Sequence, residues 1–203
     1  MQSNKYLYVV FLATSATMFG ALMASSVKFL TTDLHPIIIC FYRCLMGLIF
    51  ITPWVIKNNF KALRSNNLKL QISRSVINVF SMICWFSAIG LMHFEKAAAL
   101  GFSTPLFTTI LAIILLKEKI RFHRTAALII GFIGIILIIR PGLVPLEIGA
   151  VLLLLSAFTF SFVLIIVKKL SSIDESQTII FYHLLFSTPI FFILSLFYWQ
   201  DIN

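Results

Sequence analysis

Two polar residues stand inside long apolar runs, and they are the residues with the clearest capacity for chemistry. Arg43 lies in the run Pro36–Ile56, and His183 lies in the run Thr178–Trp199. A charged side chain near the centre of a bilayer costs at least ~2.5 kcal/mol, so Arg43 is expected either to face a polar cavity or to extend to the headgroups. We favour the cavity, because no acidic residue lies deep in an apolar run and an anionic group on a solute would supply the missing partner. His183 can hydrogen-bond a solute or carry a proton near neutral pH, although a bond to a neighbouring helix would explain it equally well.

A second group of polar and aromatic side chains repeats at helical spacing in the run Ile72–Met92. Asn78, Ser81 and Trp85 are separated by three and four residues and therefore share one face of a helix. Polar groups at this spacing either join helices within the membrane or line a pore. Trp85 lies too deep to serve only as an anchor at the membrane surface, so we expect it in a cavity wall.

The third chemical feature is a proline that follows two hydroxyl-bearing residues, Ser103-Thr104-Pro105. Pro105 removes one backbone hydrogen bond and is expected to kink its helix. The hydroxyl groups of Thr108 and Thr109 can bond the carbonyls that the kink exposes. Such interruptions line the binding sites of many transporters, and a purely structural kink is the alternative.

Enzymatic functions find little support in the sequence. No Gly-x-x-x-x-Gly-Lys phosphate loop is present. The segment Gly101-Phe102-Ser103, taken together with His183, resembles the Ser–His pair of an intramembrane protease, but Pro105 follows the serine by only two residues. We keep an intramembrane hydrolase as a remote alternative and expect no catalytic residue.

The composition identifies the medium in which these residues act. Hydrophobic residues make up 60% of the 203 residues and charged residues 11%, with a mean hydropathy of +1.03. Soluble domains carry about 25% charged residues, so the excess apolar surface must face lipid. Backbone polar groups in lipid must bond internally, which predicts helices. Cys40, Cys44 and Cys84 have neither the spacing nor the neighbours of a metal site, so we expect packing residues and no metal or cofactor.

Seven segments are long and apolar enough, or nearly so, to span a bilayer, which takes about 20 residues each. They are Tyr6–Val27, Pro36–Ile56, Ile72–Met92, Ala97–Leu116, Phe122–Ile139, Ile148–Val167 and Thr178–Trp199. Twelve of the 16 Lys and Arg residues, Arg74 among them, fall in one alternate set of connections. This asymmetry predicts a cytoplasmic N-terminus and explains the net charge of +9 without nucleic acid.

The chain resembles itself at an offset of 140 residues. Val27–Thr32 aligns with Val167–Ser172, and Phe41-Tyr42-Arg43 aligns with Phe181-Tyr182-His183. Five predicted spans separate the two copies, and an odd number means that the second copy enters the membrane from the opposite side. We therefore predict an inverted repeat of the kind found in secondary transporters, with a solute held between its halves.

The repeat divides the chain into two predicted units. Residues 1–142 form a complete unit of five transmembrane helices, and residues 143–203 form the first two helices of an inverted second unit. The predicted fold class is therefore an all-α, polytopic membrane protein with about seven transmembrane helices.

A series of short motifs resembles the EamA-type repeat of the drug/metabolite transporter superfamily. The motifs are Phe94–Leu100, Pro105–Thr108, Leu115–Ile120, Gly131–Gly134 and Arg140–Gly142. The resemblance implies a ten-helix carrier that is built from two inverted units and moves small metabolites by alternating access. Arg43 also matches the family pattern, in the order Tyr-Arg rather than Arg-Phe.

Within this superfamily, three segments resemble the S-adenosylmethionine uptake carriers of intracellular bacteria, namely Met82–Trp85 before Gly90-Leu91, Ser103–Thr108 and Gly131–Gly134. The similarity implies a bacterial inner-membrane protein in which Arg43 binds the solute carboxylate and Trp85 or Tyr42 stacks on the adenine or sulfonium group. Export of amino acids or of other metabolites is the alternative. The candidate binding residues are Arg43, Tyr42, Asn78, Ser81, Trp85, Ser103, Thr104, Pro105, Tyr182 and His183, with Glu118 as a cytoplasmic gate.

The predicted partners follow from the incomplete second unit. A full member of the family would carry about three further helices. We therefore expect the 203 residues to be inactive alone, to form a homodimer, or to pair with a separately encoded remainder. Lipid and a small solute are the other expected partners. A helix-packing subunit without a solute of its own remains a third class of function.

Overall fold

The computed structural model describes residues 2–57, 65, 67–117, 122–139 and 147–199. Within these ranges the regular structure is entirely helical. The helices are α1 (Gln2–Leu30), α2 (Pro36–Lys57), α3 (Leu68–Leu91), α4 (Phe94–Gly101), α5 (Ser103–Leu116), α6 (Phe122–Ile139), α7 (Ile148–Leu170) and α8 (Ser176–Leu196).

The helices have the dimensions of membrane spans. Six candidates are long and apolar enough to cross a bilayer, with α4 and α5 counted together, and α6 is apolar over the shorter stretch Thr125–Leu137. The predicted fold class, an all-α polytopic membrane protein, is confirmed.

The core is centred on α3, which packs against α7 and α8, while α2 packs against α8 and α5 against α7. Large side chains that are fully or almost fully buried fill these contacts, among them Phe86, Leu153 and Phe191. By contrast, α1 is exposed over most of its length, and its C-terminal end contacts α3. The second predicted unit thus closes directly onto α2 and α3 of the first.

Three connections lie at one end of the bundle, as the contacts between them show: the one between α1 and α2, the one between α3 and α4, and the one between α6 and α7. The Lys28 ammonium at the end of α1 donates to the carbonyls of Ile89 and Met92 at the end of α3, each at 2.9 Å. Lys96 pairs with Glu147 at 2.8 Å and so joins the start of α4 to the start of α7.

At the other end, Asp174 from the turn between α7 and α8 meets the start of α3. Its carboxylate accepts a hydrogen bond from the Gln71 amide at 2.9 Å and another from the Ser65 hydroxyl. Alternate connections therefore lie at opposite ends, which is the arrangement that the distribution of basic residues requires. The cytoplasmic location of one end stays a prediction.

The turns after α1 and α7 repeat the same hydrogen bonds at the predicted offset. The Thr31 hydroxyl donates to the Lys28 carbonyl at 2.8 Å, and the Ser171 hydroxyl donates to the Lys168 carbonyl at 2.9 Å. The two backbone N–H groups bond the carbonyls four residues back at 2.9 and 2.8 Å. The two turns are structural equivalents, while the predicted boundary at residue 142 lies outside the described residues.

The fourth predicted span is two helices rather than one kinked helix. The chain leaves the helix at Phe102, whose N–H donates to the Ala99 carbonyl at 3.3 Å, and α5 begins at Ser103. Pro105 then occupies the first turn of α5, where its missing N–H has no intrahelical partner to lose. The interruption positions Thr104 beside the interior of the bundle.

Candidate binding cavity

A cavity of about 400 Å³ lies among α1, α2, α3, α4, α5, α7 and α8. Its polar lining consists of Arg43, Arg74, Asn78, Ser81, Thr104, Ser156 and His183. Its apolar lining consists of Met23, Met82, Trp85, Phe86, Gly101, Leu153, Ala157 and Phe160. The volume falls within the range of ~300–1,000 Å³ that is typical of small-molecule sites.

Six of the ten candidate binding residues from the sequence come together in this lining. They are Arg43 from α2, Asn78, Ser81 and Trp85 from α3, Thr104 from α5 and His183 from α8. Residues that are up to 140 positions apart in the chain therefore share one space.

The other four candidates lie outside the lining. The Tyr42 side chain is 37% exposed and packs against Phe41, with ring centroids 5.5 Å apart. Tyr182 is buried and stacks on Phe186 at 5.8 Å. Pro105 is exposed on α5, and Ser103 is fully buried with no hydrogen-bond partner for its hydroxyl among the described residues. The predicted gate, Glu118, lies outside the described residues.

Arg43 lines the cavity from α2. The residue is exposed, and one guanidinium nitrogen, Nη1, lies 3.7 Å from the Sδ atom of Met82 in α3. A thioether is a weak acceptor, so this contact leaves the guanidinium largely available to another group.

Sequence reasoning missed the second arginine of the cavity, Arg74, which it counted among the basic residues of a connection. The structure buries Arg74 to 9% exposure in the second turn of α3. Its Nη1 atom donates to the Ile179 carbonyl of α8 at 3.0 Å, and its Nε atom has no partner among the described residues. Arg74 precedes Asn78 by four residues, so its place on the same helical face was a signal that the sequence contained.

His183 is held from two sides. The Asn78 amide nitrogen lies 3.1 Å from the imidazole Nε2 atom, and the Ser187 hydroxyl lies 3.1 Å from Nδ1. Each ring nitrogen therefore has a polar neighbour, one from α3 and one from α8. The ring orientation at the cavity wall is therefore fixed by α3 and α8 together.

Hydroxyl groups join the helices that surround the cavity. Thr108 donates to Thr104 O at 2.8 Å within α5, and Ser161 of α7 donates to the same carbonyl at 3.2 Å. Ser81 and Ser156 link α3 to α7 in a similar way. These are bonds of the kind that hold helices together in lipid, and they lie in or beside the lining.

The described lining contains two guanidinium groups and no carboxylate. Arginine keeps its charge in proteins, so the cavity is electropositive. Where the chain is described, three or more His, Cys, Asp or Glu side chains nowhere gather as a metal site would require.

Comparison with known families identifies the class of protein. The model of the EamA-like transporter family matches residues 7–140, and the chain belongs to that family. It is a multi-pass membrane protein of a family of transporters.

Individual relatives narrow the comparison. The chain is 27% identical over 172 residues to the S-adenosylmethionine uptake transporter of Rickettsia prowazekii. These residues cover 85% of this chain and 58% of that protein. It is 31% identical over 144 residues to the riboflavin transporter of Vibrio cholerae, covering 70% of this chain and 48% of that protein. The chain thus spans about half the length of these curated relatives. No solved structure matches it.

Proposed function

We propose that this protein is a secondary transporter of a small metabolite in the bacterial inner membrane, with its N-terminus in the cytoplasm. The observation that carries the proposal is the polar cavity between α2 and α3 of the first predicted unit and α7 and α8 of the second. Arg43 and His183, which correspond at the 140-residue offset, both line it. Solute sites of transporters with inverted repeats lie at this kind of interface.

The solute that we propose is S-adenosylmethionine, taken up by the cell. Arg43 supplies a cation for the carboxylate, and guanidinium–carboxylate bonds are among the strongest hydrogen bonds in proteins. The partly exposed Trp85 offers a ring face to the sulfonium group or the adenine. Similarity to relatives named as S-adenosylmethionine uptake transporters supports the assignment.

Export of an amino acid or another metabolite is the second candidate. The match to riboflavin transporters favours a solute other than S-adenosylmethionine and says nothing of the direction of transport, because relatives with different solutes share about the same identity with this chain. The intramembrane hydrolase gains no support from the site, since the described bonds of His183 go to Asn78 and Ser187 rather than to Ser103.

Uptake of radiolabelled S-adenosylmethionine by cells that express the chain tests the proposal. We expect accumulation above the vector control where the chain forms a homodimer or is expressed together with a separately encoded remainder, and its loss in Arg43→Ala and Trp85→Ala, with unchanged amounts of folded protein. Phe50→Ala is the matched control, because Phe50 lies on α2 beyond Arg43, is 80% exposed and does not line the cavity. Uptake by both cavity variants at the wild-type rate would contradict the site.

The state of the active assembly needs its own measurement. We propose that a second copy or a separately encoded remainder completes the carrier, as the partial second unit suggests. The mass of the protein in nanodiscs, determined together with uptake, distinguishes these states. Transport by a monomeric chain alone would refute this part of the proposal.

A further inference from the structure

We infer that Arg74 and Arg43 act together on an anionic oxygen group of the solute, so that the cavity selects solutes that carry a carboxylate or a phosphate. The inference rests on the proposed function and extends it. It assigns to Arg74, which was predicted to lie in a connection, a role in selecting the solute. It also defines the class of solute by its charged group.

The burial of Arg74 is the first argument. A guanidinium has five N–H donors. One of those of Arg74 donates to the Ile179 carbonyl, and its buried Nε atom has no acceptor among the described residues. Burying a charge without a counter-charge is strongly unfavourable. The Nε atom itself is sealed from the cavity, but an anionic group in the cavity that Arg74 lines would supply the missing counter-charge and accept hydrogen bonds from the other guanidinium N–H groups.

The absence of carboxylates from the described lining is the second argument. Asp174 and Glu147 are engaged elsewhere, Asp174 with Gln71 and Glu147 with Lys96. The two guanidinium groups therefore face the cavity without a described protein anion. Arg43 is exposed and Arg74 is buried, and both line the cavity that would hold the solute.

A structural role is the competing explanation, because the bond from Arg74 to Ile179 also ties α3 to α8. In that case the affinity for a solute would not depend on its charge. The experiment must therefore compare solutes that differ only in the anionic group, so that damage to the fold weakens both members of a pair equally.

Two such pairs are S-adenosylmethionine with its decarboxylated form, and flavin mononucleotide with riboflavin. Binding of each is measured by calorimetry to the purified chain in lipid nanodiscs. We expect the wild-type protein to bind the anionic member of at least one pair about tenfold or more tightly, the size expected for one charge-assisted hydrogen bond. Arg74→Gln is expected to abolish that preference.

Lys28→Gln is the matched control. Lys28 is also a partly buried cation that donates to backbone carbonyls of α3, but it does not line the cavity. We expect this variant to keep the preference. If Arg74→Gln does not fold, Arg74→Lys replaces it. We expect Arg74→Lys to lower the affinity for the anionic member of the pair several-fold and to leave the affinity for the other member unchanged.

The outcomes separate the inference from the proposed solute. A preference for flavin mononucleotide that depends on Arg74, without binding of S-adenosylmethionine, supports the inference and removes S-adenosylmethionine as the solute. Equal affinity within both pairs, no binding of either anionic compound, or an unchanged preference in folded Arg74 variants would overturn the inference.

Discussion

Ser81 of α3 and Ser156 of α7 each donate a hydrogen bond to the backbone carbonyl of the other, at 3.0 and 2.9 Å. Both side chains are buried, and their hydroxyl oxygens lie 3.2 Å apart. A reciprocal pair of this kind fixes the distance and the register of two helices at the same time. It joins the two predicted units immediately beside the cavity.

Removal of one member of this pair is expected to loosen α3 from α7. Ser156→Ala should lower the free energy of unfolding by about 0.6–1.7 kcal/mol, the range measured for hydrogen bonds between membrane helices. Titration with sodium dodecyl sulfate in mixed micelles, followed by tryptophan fluorescence, measures it. Thr52→Ala is the control, because the exposed Thr52 hydroxyl bonds the Leu48 carbonyl within its own helix. Equal losses in the two variants would contradict the prediction.

Asp174 is expected to stabilise the end of the bundle where it meets α3. Asp174→Ala leaves the fully buried Gln71 amide without its acceptor, and an unsatisfied buried group costs about 1–3 kcal/mol. The same unfolding titration reports the loss. Glu175→Ala is the control, since Glu175 is exposed and makes no side-chain cap to α8. A Glu175 variant as unstable as the Asp174 variant would show that the acidic turn acts only through its charge.

Two glycines of α6 are expected to respond differently to a methyl group. A Cβ atom on Gly131 would lie 2.8 Å from a terminal methyl of Leu106 in α5, whereas one on Gly134 would meet nothing within 4 Å. Alanine is about 1 kcal/mol better than glycine inside a helix, so Gly134→Ala should keep this gain and Gly131→Ala should lose part of it. The melting temperatures in detergent decide the order. A higher value for Gly131→Ala would mean that α5 and α6 do not touch there.

His35, in the connection before α2, predicts a pH effect. Its ring stacks on Tyr198 with centroids 4.0 Å apart, its Nδ1 atom accepts the Ile37 N–H at 3.4 Å, and burial lowers its pKa. A lowered pKa means that the folded state disfavours protonation. The stabilisation is therefore present above the usual pKa of about 6.5 and is lost as the pH falls.

The comparison of wild type with His35→Gln isolates this effect, because the two proteins differ only at this position. We expect the melting temperature of the wild type to fall more steeply between pH 7.5 and about pH 5 than that of the variant. Parallel curves would show that the stacked pair does not sense protonation.

Periodicity and charge were enough to predict the helices and part of the site. The spans follow from the length of the apolar runs, and Asn78, Ser81 and Trp85 share a face because their spacing matches a helical turn. The family was predicted from its motifs and confirmed.

Other features depend on how helices rotate against each other, which one sequence does not determine. Tyr42 adjoins Arg43 in the chain, yet a rotation of about 100° per residue turns it out of the lining. Arg74 was assigned to a connection because the count of charges ignores how deeply an arginine can be buried. The interruption before Pro105 is different, because it follows from local chemistry: a kink was predicted there, and α4 ends at Gly101, whose carbonyl would clash with the proline ring four residues later.

The electropositive lining has a consequence for energetics across the membrane. A transmembrane voltage exerts about 2.3 kcal/mol on each elementary charge per 100 mV. The cavity carries the two guanidinium charges, and a bound solute changes their sum by its own net charge. Any rearrangement that shifts these groups through the electric field is therefore driven differently in the empty and the loaded protein. The voltage dependence of a transport cycle would therefore differ between its solute-free and its solute-bound half. Currents recorded with and without solute would reveal this difference.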